Sequence, residues 1–158
     1  MQIEVLSSKQ ELIVIQNQHC LRTYTIQTSR YGLGNKKDSY QTPTGMHHII
    51  EKIGQHSHPY TVFKARLSEQ ELYSPKRYHN EPNKDWILSR ILWLQGLESG
   101  INLGGDCDSK NRYIYIHGAP ELAFEQETGS CGCIRMMPKD MIELFDLIDV
   151  HTLVYIRS

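Results

Sequence analysis

The stretch Ser130-Cys131-Gly132-Cys133-Ile134-Arg135-Met136 decides how this chain is read. Two cysteines flank a glycine, an arginine follows, and Pro138 opens an amphipathic segment. Proline suits the first helical position, where its missing N–H would have no helical partner. Asp140 and Glu143 fall near the positive end of the helix dipole, and Met141, Ile142, Phe145 and Ile148 recur at helical spacing. One helix is therefore predicted directly behind the cysteines. Upstream, Arg112-Tyr113-Ile114-Tyr115-Ile116 is rich in β-branched and aromatic residues, which predicts a strand ending in His117-Gly118.

Away from this stretch the chain is written mostly in strands. Ile3 and Val5, then Leu12 to Ile15, then Cys20 to Thr28 form three runs joined by polar turns, as an antiparallel meander would be. In the third run Arg22, Tyr24, Ile26 and Thr28 share one face, and Leu21, Thr23, Thr25 and Gln27 the other. Residues 29–40 are a polar, glycine-bearing loop leading into the turn Thr42-Pro43-Thr44-Gly45. Short strands are predicted over His47 to Ile53 and Thr61 to Ala65, and a closing strand over Leu153 to Ile156. Trp86 to Leu94 is apolar enough for a buried strand or helix, and the glycines behind it favour a strand. Residues 68–84 carry two prolines and few aliphatics, and read either as a flap over a site or as a surface insertion. Residues 100–109 and 119–129 are expected to be loops. The first lacks the Gly-Lys-Ser/Thr of a phosphate loop and the acidic ladder of a calcium loop.

Composition narrows the function classes. A chain of 158 residues fits one domain with its own core, over 1–158. Its formal net charge of −1 gives no electrostatic footprint for nucleic acid. No apolar run is long enough for a transmembrane helix. The start, Met1-Gln2-Ile3-Glu4-Val5, has neither the basic nor the apolar region of a signal peptide. Four cysteines are too few for a disulfide scaffold, and Cys131 and Cys133 are too close together for a zinc knuckle. No metal and no cofactor are expected.

The cysteine stretch offers chemistry. Thiolate is the nucleophile, so a reactive cysteine needs a base or an electropositive setting. His117, fixed at a strand end, is the candidate base for Cys133, and Arg135 adds a permanent positive charge. Gly132 permits a tight turn, and the amides of Gly132 and Cys133 are candidates for an oxyanion hole. This is the equipment of acyl transfer through a thioester. Cys20 and Cys107 are expected to pack in the core or incidentally, and the remaining histidines to have no chemical role.

The combination of Ile116-His117-Gly118 with Ser130-Cys131-Gly132-Cys133-Ile134-Arg135-Met136 resembles the active-site signature of the L,D-transpeptidase (YkuD-type) catalytic domain. Thr42-Pro43-Thr44-Gly45 is similar to another element of that family, and the resemblance runs from the first strands to Val154. It implies a mostly β fold, a sandwich or barrel with one main helix after the catalytic cysteine loop. It also implies that Cys133 attacks a peptidoglycan tetrapeptide stem, releases the terminal D-alanine, and hands the acyl group to an amine or to water. By the same resemblance His117 is the base, the Gly118 carbonyl orients its ring, and Gly132 and Cys133 hold the oxyanion. Ser130 shapes the turn, Arg135 supports the loop, and carbapenems acylate the cysteine.

Cys131 stands where the family commonly has a second histidine, which bears on the Cys133 pKa and on substrate choice. A Cys131–Cys133 disulfide would be strained across one residue. The implied partners are stem peptides or muropeptides, with no nucleic acid, and the expected state is a monomer. The resemblance implies the periplasm or cell envelope for a role in wall biogenesis and cell shape, whereas the absent leader leaves the cytoplasm open. Hydrolysis would make the protein an L,D-carboxypeptidase. The other classes left open are a non-catalytic wall-binding module and a thiol redox protein.

Overall fold

Period-two patterning places most of the chain in strands. The computed structural model describes residues 1–158. The strands are β1 (Gln2–Leu6), β2 (Glu11–Gln16), β3 (His19–Gln27), β4 (Gly45–Ile53), β5 (Val62–Lys64) and β6 (Leu67–Ser68). They continue as β7 (Ile87–Gly96), β8 (Tyr115–Gly118), β9 (Ile134–Met136) and β10 (Leu153–Arg157). Three α-helices interrupt them, α1 (Pro75–Asn80), α2 (Glu121–Glu125) and α3 (Pro138–Leu147), with one 3-10 turn over Gly105–Cys107.

The strands run in the order β4-β10-β1-β2-β3-β9-β8-β7, and β7 pairs back with β4. That pairing closes the sheet into a barrel and leaves no free edge in the ring. β5 and β6 extend from β7 outside it. The mostly β expectation holds, as does the antiparallel β1-β2-β3 meander. Two parallel pairings, β1 with β10 and β8 with β9, depend on long crossovers and have no local signal in the sequence.

Inward-facing residues of the ring form the main core, among them Ile3, Leu12, Ile26, Ile49, Leu94, Ile116, Ile134 and Met136. One face of α3 joins it through Met141, Leu144, Phe145 and Ile148. Ile142, expected on that face, is only partly buried, and Leu144 takes its place. Phe145 is fully buried, and its truncation to alanine would cost about 3–5 kcal/mol. Lys52 donates to the last carbonyls of α3, Phe145 O and Ile148 O, each at 2.6 Å, where a cation also meets the negative end of the dipole.

Residues 69–86 form a separate layer. Tyr73, Tyr78 and Trp86 bury their rings with Val62 and Leu88 in a second cluster. Ser74 caps α1 by accepting from the Arg77 N–H, and Pro75 starts the helix. Glu69 binds Arg77 and Lys84, each at 2.8 Å. Aromatic burial thus anchors a stretch whose polar sequence offers few aliphatics.

Candidate active site

Register decides which side chains meet. β9 lies between β3 and β8, and its parallel pairing sets Ile116 beside Ile134, His117 beside Arg135 and Gly118 beside Met136. Side chains alternate across a strand, so Ile114, Ile116, Ile134 and Met136 point into the core. Tyr115, His117, Cys133 and Arg135 therefore share the opposite face. There Tyr115 packs with Phe63 and Ile91, and Cys133 lies against them. Cys133 stands two residues before the Arg135 that pairs with His117, so His117 and Cys133 are placed on one face of the sheet.

His117 is fully buried. Its Nδ1 lies 2.7 Å from Gly118 O, and a carbonyl only accepts, so the ring proton sits on Nδ1. Nε2 then carries the lone pair, and this buried atom has no hydrogen-bond partner. Burial lowers the pKa and Arg135 adds to that, against opposing contributions from Asp85 and the Gly118 carbonyl. The ring is a neutral base with one nitrogen fixed and the other free. Gly118 is required by contact, since a Cβ there would stand 2.6 Å from Leu88 O and 2.7 Å from Ser89 Oγ.

Cys133 is a free thiol, partly exposed. Its sulfur accepts from the Tyr115 N–H and donates to Tyr113 O, both at 3.4 Å. Burial pushes the thiol up to about 12 and Asp85 pushes in the same direction, partly offset by the Tyr115 N–H and Arg135. The resting group is a thiol, and no hydrogen bond joins it to His117.

One residue of the motif itself and one distant turn lock the loop around it. Ser130 Oγ donates to Cys133 O at 2.5 Å and accepts from the Gly132 N–H at 3.1 Å. Thr42 Oγ1, fully buried, donates to Gly132 O and accepts from the Ser29 N–H, both at 2.9 Å. Gly132 has φ +125°, and a Cβ there would meet Ile114 and the Gln41 carbonyl at 3.3–3.4 Å. The Gly132 amide, expected to be open for an oxyanion, is occupied by Ser130 in this state. The Cys133 amide makes no backbone or side-chain hydrogen bond.

Arg135 is 6% exposed and donates to Gly129 O at 2.6 Å and Thr128 Oγ1 at 3.2 Å. Its other nitrogen pairs with Asp85 at 3.2 Å. Cys131 is exposed, its sulfur 3.7 Å from Arg30 Nη2. Two clefts meet here. One of 790 Å³ holds Cys133 with Tyr40, Arg66, Arg112 and Tyr115, and one of 310 Å³ runs between Arg30, Tyr31, Trp86 and Pro120. Asp85 and Cys131 line both. Another depression of 790 Å³ lies against Asn35, Lys36 and residues 99–107, and no histidine lines it.

Several expectations are corrected. The predicted strand from Arg112 begins only at Tyr115, because Arg112 reaches back to Gly34 O and Gln41 O and Tyr113 adopts φ +55°. The loop 119–129 contains α2, a single turn with no side-chain cap to announce it. Cys20, expected in the core or in incidental packing, is exposed on β3, so the core alternative does not hold. No correction is needed for His47, read as a surface or core residue without chemistry: it is fully buried between Gly45 O and Ser109 Oγ. Asp85 carries no signal in the sequence, and the Thr42-Pro43-Thr44-Gly45 turn, although it resembles a family element, does not reveal that Thr42 binds Gly132 O; both partners are tens of residues away.

A family model described as the YkuD L,D-transpeptidase catalytic domain matches residues 1–156. Among solved structures, a mutant L,D-transpeptidase from Enterococcus faecium superposes with TM-score 0.57 at 17% identity, over 99% of this chain and 49% of that one. An L,D-transpeptidase from Stackebrandtia nassauensis gives 0.56 at 18%, over 99% and 55%. The L,D-transpeptidase LdtMt1 in complex with imipenem gives 0.55 at 19%, over 98% and 57%. The chain thus spans about half the length of these structures, and they share its fold. No curated protein matches it in sequence.

Proposed function

Because the chain belongs to the YkuD family of L,D-transpeptidase catalytic domains, we propose that it is a cysteine acyltransferase acting on peptidoglycan stem peptides in the cell envelope. The observation that supports this most is the His117 ring. Its Nδ1 is tied to Gly118 O, and its Nε2 is buried and unpartnered on the same sheet face as Cys133. A neutral imidazole beside a thiol raised to about 12 is a general base and an unactivated nucleophile, not a preformed ion pair.

In the first half-reaction the Cys133 side chain turns from Tyr113 O toward His117. Nε2 takes the thiol proton as sulfur attacks the carbonyl of the bond holding the terminal D-alanine. The Cys133 N–H, free of other partners, receives the oxyanion, and the Gly132 N–H joins it if Ser130 Oγ releases it. The carbon–nitrogen bond breaks, and the departing amine leaves with the proton held by His117. In the second half an amine or water attacks the thioester, its proton returns through His117, and the Cys133 thiol is restored. Thr42 and Ser130 hold the loop still during both steps. An L,D-transpeptidase that shares this fold is solved in complex with imipenem, and on this reading a carbapenem acylates Cys133.

The test is product analysis of a tetrapeptide stem incubated with and without an amine acceptor. A transpeptidase gives amide product only when the amine is present. Tripeptide in both incubations identifies an L,D-carboxypeptidase. Loss of both products in Cys133→Ala is expected, and their persistence would refute the assignment.

A further inference from the structure

The charge distribution around the site is uneven. Arg30, Lys84 and Arg135 line the smaller cleft, and Asp85 is its only carboxylate. Lys84 is already engaged, 2.8 Å from Glu69 and 4.7 Å from the centre of the Trp86 ring, so it does not neutralise Asp85. Asp85 is 54% exposed. Its Oδ1 meets Arg135, and its Oδ2 accepts no hydrogen bond within the protein. It lines the larger cleft together with Cys133 and the smaller one without it. One carboxylate oxygen is thus left without a partner on an exposed residue that lines both clefts, the smaller of which has only cations as its other charged groups.

We propose that Asp85 is the docking group for a cationic amine that acts as acyl acceptor. This rests on the thioester reading above. An amine arrives mainly as ammonium, and every other charge of the smaller cleft repels it. The free Asp85 oxygen is the one place there where it gains a charged hydrogen bond. Water needs no such group, so the carboxylate separates transfer from hydrolysis. The same charge accounts for the upward pressure on both His117 and Cys133, which places Asp85 within electrostatic reach of the thioester.

The step balances without a further reagent. The docked ammonium loses one proton to solvent. The nitrogen lone pair forms the new carbon–nitrogen bond, and the carbon–sulfur bond breaks. The second nitrogen proton passes through His117 Nε2 to the Cys133 sulfur, which leaves as thiol.

The experiment offers the protein a tetrapeptide stem with two competing acceptors. Ethylamine is cationic at neutral pH and hydroxylamine is uncharged. Mass spectrometry reads the ratio of ethylamide to hydroxamate. In Asp85→Asn this ratio should fall about tenfold, the effect of losing a hydrogen bond to a charged group, and Asp85→Glu should restore most of it. In the unsubstituted protein, added salt should lower the same ratio, a check independent of any variant. An unchanged ratio in Asp85→Asn overturns the proposal. So does an equal fall of both products, which would make Asp85 only a brace for Arg135, and so does a protein that forms hydroxamate but never ethylamide. Absence of both products and of any acyl-protein from the unsubstituted chain would instead overturn the thioester reading itself, and this proposal with it.

Discussion

Replacing Thr42 by valine should loosen the cysteine loop from a distance of 90 residues in sequence. Valine keeps the shape and removes only the hydroxyl. In the fully buried site that hydroxyl is the partner of both Gly132 O and the Ser29 N–H, and neither group has another. Each buried backbone group left unpaired costs about 1–3 kcal/mol. Allowing for some relaxation, the pair amounts to roughly 2–4 kcal/mol. In a chain of this size a loss of about 3 kcal/mol lowers Tm by roughly 6–12 °C. Thermal unfolding followed by circular dichroism measures it, with Thr42→Ser, which keeps both bonds, as the control. The same variant should acylate Cys133 more slowly, because Gly132 O is held by nothing else. A Tm within about 2 °C of the unsubstituted protein, less than the shift expected from 1 kcal/mol, would refute the claim that this hydroxyl clamps the loop.

Other consequences follow from the same geometry. With its thiol raised to about 12, Cys133 is ionised at pH 7 on the order of one part in a hundred thousand, so iodoacetamide should modify exposed Cys131 and Cys20 well before it. Peptide mapping over time checks the order, and Cys133 reacting first would contradict it. His47 is lowered to about 4 by burial, so between pH 6.5 and 4 the unfolded chain takes up a proton that the folded chain refuses. Stability is therefore present above pH 6.5 and lost as pH falls toward 4, by about 3 kcal/mol. Urea unfolding across that range should show a shallower loss in His47→Asn. Gly118→Ala would force Leu88 and Ser89 aside and shift the carbonyl that holds His117, so activity should fall about 10²-fold or more while the fold persists by circular dichroism.

The sequence makes the strands legible where alternation is clean. The β1-β2-β3 meander and the face shared by Tyr24 and Ile26 follow from period-two patterning, and α3 from its proline start and apolar stripe. β9 is only three residues long and sits inside the cysteine motif, so no periodicity reveals it. Its parallel pairing with β8 nevertheless brings His117 and Arg135 side by side. The candidate nucleophile and base announce themselves by residue type. Asp85 does not, because an aspartate behind a polar stretch is ordinary until the barrel closes around it, and the turn that holds Thr42 stands out without showing that its hydroxyl meets Gly132 O. The layer formed by residues 69–86 is written in tyrosines and a tryptophan, whose rings pack edge-on or tilted against one another rather than follow a strand or helix period.

The most direct test of the central claim is the mass of the intact protein after incubation with imipenem, followed by mapping of the modified peptide. One adduct on Cys133, absent in Cys133→Ala and formed about 10²-fold or more slowly in His117→Ala, is the predicted result. An adduct on Cys131, or labelling at Cys133 that proceeds equally fast without His117, would contradict it.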